Sequence, residues 1–98
     1  MALVVIVTRD VPDRFRGFLA SVMHEVAPTV YISPRMNQGV RTRTWKVLME
    51  WHKAEPRGSI VMVWRDIDQT GGVGIATLGT PPRELVEIDG LWLTRRPL

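Results

Sequence analysis

The chain has 98 residues, and its 13 Lys and Arg outnumber 10 Asp and Glu for a formal net charge of +3, a length that allows one domain and no second. Eleven of the 13 basic residues are arginine and none of the 98 is cysteine, which excludes disulfides, thiolate metal sites and thiol nucleophiles together. With 45% hydrophobic and 23% charged residues the composition is globular, a pI near 10.2 raises nucleic acid as a partner, and the lack of disulfides favours the cytoplasm over secretion.

The apolar start, residues 2–7, is six residues long, lacks a basic flank and is stopped by Arg9 and Asp10. It is too short for a membrane span and is read as a strand buried on both faces. A helix follows from Pro12, with Phe15, Leu19, Val22 and Val26 at helical spacing as its buried stripe and Pro28 as its stop. Residues 29–32 form a second strand, ended by Pro34. A second helix runs from about Gln38 to Lys53, burying Val40, Thr44, Val47, Leu48 and Trp51, and Pro56-Arg57-Gly58 ends it. Ser59 to Trp64 and Val73 to Leu78 make a hairpin around Gln69-Thr70-Gly71-Gly72. Two short strands, Leu85 to Ile88 and Leu91 to Thr94, flank an Asp89-Gly90 turn.

The order β-α-β-α-β-β with a C-terminal β pair predicts an α+β ferredoxin-like sandwich, a mostly antiparallel four-stranded sheet with two helices on one face. Residues 1–79 form that domain and residues 80–98 its C-terminal β extension. The strands are too apolar for the uncovered face to be wholly wet, so a homodimer is expected.

The charge is unevenly placed: zero over residues 1–30, +4 over residues 31–57 and −1 over residues 58–98. Arg14 and Arg16 open the first helix, where free backbone N–H groups also favour an anion. Arg41 and Arg43 lie on the second helix, in the basic segment. Arginine pairs bidentately with phosphate, although charge alone reads more plainly as a solvated face with local ion pairs. The four tryptophans are assigned to core and dimer packing rather than base stacking. Asp10 ends the first strand. Two copies facing each other in a dimer would make a minimal Mg²⁺ site for phosphodiester cleavage, so Asp10 is the candidate catalytic and metal residue. A capping role for Asp10 and Asp13 is the plainer reading. Asp66 and Asp68 are read as a polar hairpin end. His24 and His52 stand alone on separate helices.

Residues 3–17, Leu-Val-Val-Ile-Val-Thr-Arg-Asp-Val-Pro-Asp-Arg-Phe-Arg-Gly, resemble the start of the CRISPR-associated Cas-two family, type I-E subtype. Further along, Glu25-Val26, Val30-Tyr31-Ile32, Trp45, Val61-Met62-Val63-Trp64, Thr77-Leu78-Gly79 and Val86-Glu87-Ile88-Asp89-Gly90-Leu91 match in order, so the resemblance covers nearly the whole chain. It implies a homodimer at the centre of the CRISPR spacer acquisition complex. That dimer bridges Cas-one integrase subunits and holds the middle of a double-stranded prespacer DNA. It also implies phosphate contacts by Arg14, Arg16 and Arg83, to which the charge distribution adds Arg41 and Arg43. The C-terminal β segment docks on the integrase, with Val86, Ile88, Leu91 and Leu93 as contact residues. The alternative the family carries is a Mg²⁺-dependent endonuclease, acting on RNA or on double-stranded DNA, in which Asp10 matches the credited carboxylate.

Overall fold

Side chains alternate across a strand, so the pattern of burial along β1 (Ala2–Arg9) fixes how the sheet is clothed. In the computed structural model, which describes residues 2–79 and 84–95, Val4, Ile6 and Thr8 of β1 are buried while Leu3, Val5 and Val7 point to the other face. The buried row meets α1 (Asp13–Val22) through Phe15 and Leu19, and α2 (Gln38–Ala54) through Leu48. β2 (His24–Ala27), β3 (Val30–Met36), β4 (Ser59–Arg65) and β5 (Val73–Leu78) complete a sheet of order β2-β3-β1-β4-β5, antiparallel at every pairing. β6 (Glu84–Ile88) and β7 (Leu91–Arg95) pair with each other as a separate two-stranded sheet. Each helix crosses between strands that hold one antiparallel strand between them, which is the split β-α-β arrangement of a ferredoxin-like sandwich. No helix among the described residues is long and apolar enough to cross a membrane.

The sheet has five strands where the sequence reading gave four, and the missing one is β2. The first helix ends at Val22, not at Pro28: Met23 is already extended, and Val26, expected on the buried helical stripe, lies on β2 and is 61% exposed. Spacing misled here because Val22 and Val26 fit a helical period while the residues between them fit a strand equally well. Pro28 marks a tight turn instead. With Thr29 at φ 67 after it, the pair has the signature of a type II turn, which folds β2 back against β3. His24 therefore sits on a strand, not on a helix.

Pro34 does not end the second predicted strand, and β3 continues through it to Met36. β2 no longer runs beside β3 at that point, since its first pair is His24 with Ile32, and the register against β1 shifts between Ala2 and Val4. A proline costs no ladder hydrogen bond at such an irregular, one-sided position. α2 matches its predicted span, and Asn37 caps it by accepting from the Val40 N–H at 2.8 Å. The hairpin ends behave as read: Asp68 N–H donates to Asp66 Oδ1 at 3.0 Å, and Asp89 and Gly90 both take positive φ, as a type I′ turn requires.

Two glycines are fixed by close approach. Gly58, at φ 79, lies against the end of β1, where an added Cβ would come within 2.3 Å of the Arg9 carbonyl oxygen. Gly74 lies under the Trp64 indole, which an added Cβ would meet at 2.1 Å. Gly58→Ala is expected to cost about 1–3 kcal/mol of stability. At roughly 4–8 °C per kcal/mol for a domain of this size, an unchanged thermal midpoint would contradict that contact.

Candidate nucleic-acid interface

The described arginines named from the sequence are not gathered into one cluster. Arg14 and Arg16 are two residues apart on α1, a spacing that sends side chains to different sides of a helix. Arg14 turns toward α2. Its guanidinium carbon lies 4.8 Å from the Trp51 ring centroid, and the group donates to the Trp51 carbonyl oxygen at 3.4 Å. That carbonyl belongs to the last turn of α2, where a cation complements the helix dipole. Trp51 is in turn fixed by edge-on contacts to Phe15 and Phe18, with centroids 5.5 and 5.3 Å away.

Arg16 turns the other way, toward β2. It donates to Glu25 Oε1 at 3.2 Å, and its side chain remains 68% exposed. Glu25 is itself held: the Thr29 N–H donates to its Oε2 at 3.3 Å. Tyr31, directly across from Glu25 in the β2–β3 ladder, is only 1% exposed. Partial burial works against the charged form of Glu25. The Thr29 N–H, the Arg16 guanidinium and the Tyr31 hydroxyl together outweigh it and lower its carboxyl below the ordinary glutamate value of 4.5. Burial first, and then the Glu25 carboxylate, raise the Tyr31 hydroxyl.

Arg41 stacks on Trp64, its guanidinium carbon 4.4 Å from the ring centroid, and is half-buried in doing so. Ten residues of helix separate it from Trp51, so Arg14 and Arg41 are anchored about 15 Å apart along α2. Arg43 is exposed on the same helix, and Arg83 lies outside the described residues. Stacking and pairing leave most of each guanidinium's five donors unused. The anchors thus fix where the charges stand without consuming their capacity for phosphate.

Asp10 is exposed, with φ 57, and its carbonyl oxygen accepts from Arg57 Nε at 3.3 Å. It lines a cavity of about 480 Å³ with Arg9, His52 and Ser59, and His52 Nε2 lies 3.2 Å from the Gly58 carbonyl oxygen. Neither Asp10 nor Asp13 caps α1: the cap position is taken by Pro12, and no side chain bonds to the free N–H groups there. Among the described residues no three His, Asp or Glu converge as metal ligands. A lone carboxylate sharing its cavity wall with an arginine is a poor donor set for Mg²⁺, which takes hard oxygens and is repelled by a neighbouring cation. The residues of one chain do not fit that ion.

Val86, Ile88, Leu91 and Leu93 share one face of the β6–β7 hairpin, as two directly opposed pairs, Val86 with Leu93 and Ile88 with Leu91. Ile88, Leu91 and Leu93 are 51, 61 and 45% exposed. The opposite face carries Glu87 and Trp92, which fasten the hairpin to its own chain. Trp92 Nε1 donates to the Thr70 carbonyl oxygen at 3.0 Å, and the Thr70 hydroxyl bonds to Glu87.

Sequence reading places Tyr31 in a strand and counts Glu25 among the acids of residues 1–30, but does not bring Glu25 to Arg16. A search for an acid beside the Pro28-Thr29 turn would have found Glu25.

A group whose pKa is lowered on folding stabilises the fold above its unfolded value, and that contribution is lost as the pH falls through the folded one. Glu25→Gln is therefore expected to lower the thermal midpoint at pH 7 and to have little effect well below pH 4.5, where the wild-type carboxyl is also neutral. A midpoint difference that stays constant from pH 7 to pH 3 would contradict the network.

Residues 3–93 match the family described as CRISPR-associated protein (Cas_Cas2CT1978). The match takes in all but the first residue of β1, both helices, the other four strands of the main sheet and most of the C-terminal hairpin, so that the chain belongs to this CRISPR-associated family of Cas2 type.

Proposed function

We propose that this protein is an architectural subunit of the CRISPR spacer acquisition complex, of the type I-E kind. In this reading it is a cytoplasmic homodimer that holds double-stranded prespacer DNA and bridges integrase subunits. The observation that carries it is the treatment of Arg14 and Arg16. Both are exposed on the first turns of α1, they point to opposite sides of it, and each is anchored by one contact that leaves its other donors open. Charges spaced along a surface suit the regular phosphates of a duplex better than one bound anion. Arg41, stacked on Trp64, and Arg43 add two further candidate contacts on α2.

Two further features support the assembly. The sheet face away from the helices carries apolar rows across four strands, Ile32-Val5-Val63-Ile75 and Val30-Val7-Val61-Thr77, a surface that a second copy would cover. The apolar face of the β6–β7 hairpin, turned away from its own chain, suits an apolar groove on an integrase subunit. The alternative, a Mg²⁺-dependent endonuclease through paired Asp10, needs a carboxylate from a second chain beside an Asp10 that shares its cavity wall with Arg9.

Reversing the charge at both positions, Arg14→Glu with Arg16→Glu, is expected to abolish binding of linear double-stranded DNA while leaving the helical signal intact. Wild-type affinity should fall with salt by about 0.9 in log units per phosphate contact, equally for unrelated sequences. Unchanged affinity in the double variant would overturn the assignment.

A further inference from the structure

Arg16 is the one described candidate arginine tied to an acid, and the tie leads into the core. Tyr31 is buried among the residues between sheet and helices, and Glu25 is its direct partner across the β2–β3 ladder. The Thr29 N–H, presented by a turn residue at φ 67, fixes the other carboxylate oxygen. Glu25 is thereby held by the β2–β3 hairpin, and it presents Oε1 to one nitrogen of Arg16. A flexible arginine on an exposed helix would otherwise sample many rotamers, and ordering it on contact with a ligand costs affinity.

We propose that Glu25 is a positioning residue, which, braced by the Thr29 N–H, holds the Arg16 guanidinium in the direction from which it contacts a DNA phosphate. The inference rests on the DNA-binding reading given above and adds to it a specific dependence. Glu25 touches no phosphate; it acts through Arg16. Its negative charge would by itself repel the backbone, so a purely electrostatic role and a positioning role predict opposite results when that charge is removed.

A double-mutant cycle separates them, because the change in net charge cancels within it. Glu25→Gln retains an oxygen to accept from the Thr29 N–H while weakening the tie to Arg16, and melting curves of all four proteins check that the fold is kept. Affinity for a linear double-stranded DNA is measured for wild type, Arg16→Ala, Glu25→Gln and the double variant over a range of salt. In the wild-type background Arg16→Ala is expected to weaken binding about tenfold and to flatten the salt dependence. In the Glu25→Gln background the same substitution is expected to cost no more than about twofold, because the contact is already largely lost. An equal or larger cost of Arg16→Ala in the Glu25→Gln background would overturn the positioning role and leave Arg16 as a contact residue. No cost in either background would overturn the DNA contact of Arg16 itself, and the proposal with it.

Discussion

Two helices clothe only one face of a five-stranded sheet, and this sheet is apolar on both. Along β1 the even positions Val4 and Ile6 are sealed beneath α1 and α2, while the odd positions Leu3, Val5 and Val7 look outward with Val61 and Val63 of β4 beside them. The side chains that build the core and those that build the second surface come from the same strands, one residue out of phase. A shift of one residue in register would exchange them. Burial of apolar area contributes about 25 cal/mol per Å², which is what the proposed second copy would gain by covering this face. The described residues place two helices on one face of the sheet, and the proposed second copy would cover the other.

The same economy governs the arginines. In so small a domain the basic residues are part of the packing: Arg14 covers Trp51, Arg41 covers Trp64, and Arg16 bonds to Glu25, which the Thr29 N–H also holds. Each anchor is individually weak, since exposed ion pairs contribute roughly 0–1 kcal/mol and exposed cation–π contacts about as much. Their consequence is geometric. They set charges at separate points around α1 and along α2, in place of a mobile basic cloud.

Most of the architecture was legible in the sequence, because long periodic segments with clear punctuation leave little choice. β1, α2, the β4–β5 hairpin and the Asp89-Gly90 turn follow from apolar runs, helical spacing and turn chemistry. What was not legible was decided by tertiary contact. β2 is a four-residue edge strand with every residue exposed, and it exists because β3 lies beside it. Pro34 stays within β3 because β2 has already ended there. The candidate site divides the same way. The positions of Arg14, Arg16 and the one-sided hairpin residues could be read from spacing. The partners Trp51, Trp64 and Glu25 could not, since each joins residues that only the fold brings together. Asp10 stands where the strand end was expected, but its surroundings, with Arg9 and His52 in one cavity wall, depend on the close approach of Gly58.

The central claim, that the uncovered sheet face is an interface between two copies of the chain, is tested most directly by sedimentation of the protein at micromolar concentration, with and without Val63→Asp. The account predicts a particle of twice the 11.2 kDa chain mass, reduced to a single chain by the aspartate while the helical signal is kept. A wild-type particle of single-chain mass throughout that concentration range, or a dimer indifferent to Val63→Asp, would contradict it.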